Sequence, residues 1–428
     1  MSKAIYKYID TFWRKEMEKE IETKESKEPV AAAKPVDRGR VNNIMFLAAV
    51  VIFATAARVC MFKGTSGDMR GCLIPWYDYL KSHGGFFATG DNIGDYTPAY
   101  YYFLALLGYT KIPVVYGIKI FSTVFELLCA VYIGRITAIR YNGTNRPYIA
   151  FAIAYSLPTA LINSGAWGQC DGVFTCFLLM AFYSFLKGRE MRSMWFGGIS
   201  FAFKLQAVFF APFILVMFLK RKIRFRSLFM IPLVYIISII PAILVGGSPW
   251  RLLTVYLRQS VHYKKLVMGL ANIWVFFEDM DQRVLGYAGV FVAGTGVLIF
   301  VYYCASTGKL GHMTLDCAVT LACISCFIVP FLLPYMHERY YYPLEMFIVV
   351  FAMYHSDKAW LIVLTQSISF VGIMECLFSM QLCNPRIAAM LSAFAIILLF
   401  YTLSKELHNE NGDEVKMVFE QPTSVKDT

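Results

Sequence analysis

Charge is what this 428-residue chain has least of. Only 16% of its residues are Asp, Glu, Lys or Arg, against 58% hydrophobic, and its mean hydropathy is +0.53. A soluble chain of this length needs more charge to solvate its surface, so a soluble globular protein is excluded. The chain also lacks a glycine-rich phosphate loop after a strand, and no polar loop is long enough to hold a Rossmann domain. Any activated substrate must therefore arrive through the bilayer. Acidic residues are the scarcer sign, 29 against 40 Lys and Arg, for a net charge of +11. In so apolar a chain that excess marks basic cytoplasmic loops rather than nucleic-acid binding. The 11 cysteines are an odd number, and most lie in apolar runs as small core residues. "CISC" at 323–326 has redox-like spacing, yet it sits inside such a run without other ligands and reads as packing.

What the chain does have is long apolar runs. "NIMFLAAVVIFATAARVCMF" and "LVYIISIIPAILV" can each bury about 20 residues of helix in roughly 30 Å of hydrocarbon. The fold class is an all-α polytopic integral membrane protein. Spans are expected near 43–62, 115–135, 147–166, 170–187, 226–245, 285–304, 313–333, 339–354, 358–376 and 385–403. They form one membrane domain, 43–403, between an N-terminal arm, 1–42, and a tail, 404–428, both expected to be cytoplasmic. The arm is dense in Lys and Glu without an apolar core before Asn43, so it does not read as a signal peptide. Its "IYKYIDTFWRKEMEKEI" has apolar residues at helical spacing, which suits an interfacial helix or a solvated arm.

Basic clusters at "GRITAIRYNGTNRP", "LKGREMR", "LKRKIRFR" and "STGKLGH" belong inside by the positive-inside rule. Counting "YTPAYYYFLALLGYTKIP" as a span would violate that rule, and its roughly 13 apolar residues are short for crossing. It reads as a helix in the outer interface, anchored by its tyrosines. "RSMWFGGISFAFKLQAVFFAPFILVMFLKRKIR" is basic at both ends, so it reads as a broken or hairpin pair with "KLQ" at the apex. The count becomes about twelve membrane segments.

This topology gathers dispersed polar residues on the exoplasmic face: the first loop (63–114), Trp167 to Asp171, the Lys204 apex, the 246–284 loop and "MHER" at 336–339. Asp68, after Ser66 and Gly67, suits either a helix cap or a general base at a cavity mouth. Asp78 is a second candidate further along, and Trp76 and Tyr77 are expected to seat this element in the membrane surface. Asp95 and Tyr96, before Pro98, signal a turn or a substrate contact. Trp167 suits an aromatic belt and Asp171 a helix cap, whereas Gln169 has no evident structural reason in a short connection. Lys204 is an ionisable group inside a span, costly and functional by default, with snorkelling as the bland alternative. Gln206 completes its apex. His337, Glu338 and Arg339 form a charged connection that is not H-E-x-x-H, since position 341 is Tyr. Arg251, Arg258, His262, Lys264 and Lys265 suit anionic headgroups, a phosphate or generic surface charge.

The series "SGDMRGCLIPWYDYL", "DYTPAYYY", "WGQCDGVFTCFLL", "FAFKLQAVFFAPFIL" and "LPYMHERYYYPLE", in this order, resembles the GT-C glycosyltransferases that use polyprenyl-phosphate sugars. The bacterial mannosyltransferases related to the second-mannose transferase of glycosylphosphatidylinositol are the most similar group, over residues 43–355. The resemblance implies a GT-C-like fold with interfacial helices in the first exoplasmic loop. It also implies an inverting hexosyltransferase, mannose favoured, acting on a glycan or glycolipid acceptor hydroxyl. Asp68 would then be the base, and Lys204, His337 and Arg339 would carry charge for the leaving phosphate. Asp95, Tyr96, Trp167, Gln169, Asp171, Gln206 and Glu338 would line the substrate sites. The first loop has no adjacent acidic pair, so metal independence is favoured and no cofactor is implied. The setting implied is a bacterial plasma membrane, or otherwise the endoplasmic reticulum, with an exoplasmic site. A transporter or flippase of a lipid-linked sugar also suits broken spans and an intramembrane Lys, although no repeated halves are evident. A glycan ligase or polymerase would need a richer arginine cluster in a large exoplasmic loop.

Overall fold

The computed structural model describes residues 38–260, 265–310 and 312–409. The chain divides into two units, Met1–Met45 and Phe46–Thr428. The first contributes only the opening turns of one helix to the described residues, so the interfacial segment expected in the arm lies outside them. His262 and Lys264 also lie outside.

The fold is all-α apart from one short ladder. The helices of nine residues or more are α1 (Arg38–Cys60), α2 (Ile74–Ser82), α3 (Pro98–Gly108), α4 (Val114–Tyr141), α5 (Arg146–Ser156), α6 (Asp171–Leu186) and α7 (Glu190–Phe203). They continue with α8 (Ala211–Leu219), α9 (Met230–Leu244), α10 (Gln282–Ser306), α11 (Leu315–Leu332), α12 (Tyr342–Tyr354), α13 (Leu361–Phe378) and α14 (Pro385–Leu407). Among the described residues, seven helices are long and apolar enough to cross a membrane: α1, α4, α9, α10, α11, α13 and α14, α9 and α13 counted with the short turns ahead of them. With every backbone polar group satisfied inside a helix, such segments suit hydrocarbon. The chain is an integral, multi-pass membrane protein.

Two breaks shape the site. The expected single span 147–166 is instead bent by 46° between α5 and the stretch Pro158–Trp167. Leu157 is extended because the ring of Pro158 disfavours the helical region for the residue before it. The second break falls at Lys204, extended at φ −154° and ψ 137°, between α7 and the turn Leu205–Phe210 that leads into α8. The far ends of this pair come back together. Glu190, which opens α7, accepts from the Arg224 backbone N–H at 2.5 Å and from its Nε at 2.8 Å. The segment is thus a hairpin with Lys204 at its turn.

The core is centred on α4, α6, α11 and α12, with α12 buried along almost its whole length. Cys323 and Cys326 are buried within α11 among this apolar packing. A two-residue parallel ladder pairs β1 (Val267–Met268) with β2 (Met336–His337) and holds the connection before α12. In the first loop, the aromatic residues differ from expectation. Trp76, Tyr77, Tyr100 and Tyr101 are not turned to a membrane surface but buried in a cluster of their own. Trp76 packs on Tyr96 and Tyr101 with ring centroids 5.0 and 5.7 Å apart. Burying these rings removes more apolar area from water than a surface anchor would. Leu106 on α3, Tyr109 just past its end, and Phe86 and Phe87 ahead of it are exposed.

Candidate functional site

The site starts at the end of α1. Ser66 accepts the Met69 backbone N–H at 3.2 Å and donates to the Trp167 carbonyl at 3.0 Å, so the serine does the capping work there. Asp68 makes no side-chain cap, and its carboxylate turns to residues a hundred positions away. Its Oδ2 accepts from Trp167 Nε1 at 3.1 Å and from Gln169 Nε2 at 2.5 Å, and lies 3.6 Å from Arg339. No hydrogen bond to its Oδ1 is found among the described residues. The Asp68 side chain is 44% exposed, whereas those of its neighbours are buried.

The segment that presents Trp167 and Gln169 is itself built to bend. A turn over Asn163–Trp167 ends at Gly168, whose φ of 75° lies in the left-handed region that favours glycine. The Asn163 carbonyl then accepts from both Gly168 and Gln169. Trp167 is 2% exposed, which rules out a place in an aromatic belt. Its ring carries the Arg339 guanidinium 5.2 Å from its centroid, within cation–π range.

Behind Asp68 lies an ion cluster. Asp171 is the first residue of α6 and does not cap it, since Cys170 holds the cap position. Its Oδ1 pairs with Lys204 Nζ at 2.5 Å and its Oδ2 lies 3.4 Å from Arg339 Nε. Glu338 Oε1 takes Arg339 at 2.8 Å, and Glu338 Oε2 lies 3.8 Å from His337 Nδ1. Burial alone would raise the Glu338 carboxyl, but His337 and Arg339 outweigh it and hold it below the usual carboxylate range. Glu338 is boxed in by glycines: Gly269, at φ +91°, and Gly372 both bring backbone against it. At the rim, burial pushes the Cys72 thiol above its ordinary value, with the charges of Asp95 and Asp68 adding to the effect.

The chain matches no family model and no curated protein. The site's chemistry therefore rests on its own geometry.

That geometry brings together Asp68, Trp167, Gln169, Asp171, Lys204, His337, Glu338 and Arg339. Three expectations need correction. Lys204 is neither snorkelling nor an open cation, but 4% exposed and paired with Asp171, because an unpaired ammonium there would be costly. Asp171 is turned into the cluster rather than lining an open pocket. The connection at 337–339 is not hydrated surface: Glu338 and Arg339 are buried. Tyr96 stands beside Cys170, hydroxyl to sulfur 3.9 Å, at one remove from the ion cluster. Asp95 is half-buried and reaches the site through its charge on Cys72. Gln206 is buried, with Oε1 making no hydrogen bond among the described residues. Asp78 is exposed, and no ion pair or hydrogen bond engages its carboxylate among the described residues. Arg251 donates to the Gly90 carbonyl and ties the 246–284 loop to the first loop. Lys265 is exposed.

Sequence reading missed the anchor beneath this site. Arg58 on α1 donates to Glu126 Oε2 on α4 from Nε at 3.0 Å and from Nη2 at 2.8 Å, both side chains essentially fully buried. Ser164 donates to the same carboxylate at 2.5 Å, and Asn163 and Tyr342 reach its Oε1 at 3.3 and 3.2 Å. This network holds the turn that carries Trp167. The signal was available: each is an ionisable residue within an apolar span, which seldom occurs without a partner.

Proposed function

We propose that the chain is an inverting glycosyltransferase that moves a hexose, mannose favoured, from a polyprenyl-phosphate sugar to a glycan or glycolipid hydroxyl. The observation carrying this reading is Asp68. Its Oδ2 is held by Trp167, Gln169 and Arg339, while Oδ1 is left to accept a proton on a half-exposed face. A carboxylate so held is oriented for general-base catalysis and stays in place as charge develops. In the reaction, Asp68 Oδ1 takes the acceptor hydroxyl's proton as that oxygen bonds to the anomeric carbon. The bond from that carbon to the phosphate oxygen breaks, and polyprenyl phosphate leaves with the electron pair. Arg339 and His337 supply the charge nearest the leaving phosphate, and Lys204 neutralises Asp171 rather than meeting the donor. Asp95, Tyr96 and Gln206 border the substrates, while Trp167 and Gln169 hold the base.

On this reading the architecture is GT-C-like. The seven long helices are joined by α5 with its bent continuation, α6, the α7–α8 hairpin and α12, giving about twelve membrane segments once shorter elements are counted. The site faces the exoplasm, of a bacterial plasma membrane or otherwise of the endoplasmic reticulum. The buried Arg58–Glu126 pair is the feature that favours the rival reading of a transporter, since such groups mark transport pathways. Both side chains of the pair are hydrogen-bonded within the protein, which suits an anchor better than a path.

The test uses purified full-length chain and its Asp68→Asn variant, with a panel of polyprenyl-phosphate sugars and an acceptor extract, with and without EDTA. Transfer from at least one donor is expected, falling by about 10² to 10⁴ in the variant. No transfer from any donor overturns the reading. Equal activity in the variant overturns only the role of Asp68.

A further inference from the structure

The helices that frame the Asp68 cluster have a second, charged end. α4 brings Lys119 to the Gly64 carbonyl in the first loop at 2.6 Å. From Lys119 the helix runs about 32 Å to Arg140. α12 likewise starts at Tyr342, beside Glu126, and ends at Tyr354 and His355. At this far end, α4, α11, α12 and α14 border an open cavity of about 420 Å³ whose lining includes Arg140, Asp316, His355, Lys358, Lys405 and Glu406.

The charges of this lining do not simply cancel. Asp316 is taken by Arg140 through two bonds of 2.5 and 2.8 Å, while Glu406 Oε1 lies 2.9 Å from His355 Nε2 and neither Glu406 oxygen makes a hydrogen bond among the described residues. The lining thus sets three permanent cations, Arg140, Lys358 and Lys405, against two carboxylates, of which Asp316 is taken by Arg140. Lys405 has no carboxylate within ion-pair distance among the described residues, and sits 4.4 Å from the centre of the Tyr401 ring. Lys358 meets only Asp357, itself 70% exposed, in the kind of surface pair that water screens. Two lysines thus face one cavity in which Asp316 is engaged by Arg140. Tyr401, 57% exposed, gives the mouth an apolar edge with a polar tip, as aromatic residues do at the boundary of hydrocarbon and water.

We propose that this cavity binds a phosphate group through Lys358 and Lys405, at the end of the protein opposite the Asp68 cluster. A basic pocket between membrane helices suits a lipid headgroup phosphate, and a free phosphate would use the same two cations. The site is independent of the glycosyltransferase reading, sharing no residue with it.

The experiment measures thermal stabilisation of the detergent-purified full-length chain against rising concentrations of phosphatidylglycerol, dioleoylglycerol and inorganic phosphate. Phosphatidylglycerol is expected to stabilise it, with the half-point shifted about 30-fold upward in Lys358→Gln/Lys405→Gln. The charge-preserving Lys358→Arg/Lys405→Arg protein should keep the wild-type half-point, which separates lost charge from lost fold. If inorganic phosphate stabilises with the same sensitivity to the Gln variant, the phosphate site stands with a soluble source. Equal stabilisation by dioleoylglycerol, no stabilisation by either phosphate, or an unmoved half-point in the Gln variant overturns the proposal.

Discussion

Asp68 and Gln169 stand 101 positions apart in the chain and meet at 2.5 Å, Gln169 Nε2 donating to Asp68 Oδ2. One amide, with the Trp167 indole beside it, fixes the orientation of a carboxylate that takes no part in capping its own turn.

Removing either donor should therefore damage catalysis more than binding. A hydrogen bond to a charged group is worth about 1.5–3 kcal/mol, so Gln169→Leu and Trp167→Phe should each lower kcat by roughly 10- to 100-fold. KM should change little. Steady-state kinetics of sugar transfer check this, and a pure KM effect would place both residues on substrate instead.

Stability should fall on the acid side. The Glu338 carboxyl is held below its ordinary value in the folded protein, so it contributes stability above its unfolded pKa and loses it as pH falls through the folded one. Thermal melts in detergent across the carboxylate range should show this decline. Glu338→Gln should flatten it, at the cost of a lower melting temperature near neutrality.

Gly372→Ala should loosen the site without removing any charge. A Cβ there would stand 2.7 Å from the Gly269 carbonyl oxygen and 3.1 Å from Glu338 Cβ, so backbone must move. The expected outcome is a lower melting temperature together with reduced transfer. Gly294→Ala, where nothing lies within 4 Å of the new atom, is the matched control and should be silent.

The Arg58–Glu126 anchor should behave as a buried pair. Glu126→Ala leaves the guanidinium uncompensated and should cost about 3–5 kcal/mol, while Arg58→Met/Glu126→Leu should recover much of it. Denaturation in mixed micelles measures both. An additive double variant would show the two residues to be uncoupled.

Much of the site was legible because charge is so scarce here. Asp68, Lys204, His337, Glu338 and Arg339 stand out among apolar neighbours, and the positive loops put them together on one face. Their pairings were not legible. Lys204 reads in sequence as an exposed cation at an apex, and only the meeting of α6 with the α7 hairpin shows Asp171 occupying it. Trp76 and Tyr100 read as interface anchors because amphipathic rings suit both interface and core. The packing of α2 on α3 decided for the core.

From the sequence alone come the membrane character, the helical class, the hairpin at Lys204 and the list of polar residues that belong to one side. Hydropathy and loop charge are local sums, and the bilayer acts on local sums. Tertiary structure alone decided the bend at Leu157, the burial of the first loop's aromatic residues, the Arg58–Glu126 anchor, and which oxygen of Asp68 is left open. Those depend on distances between segments a hundred residues apart, set by how the helices pack.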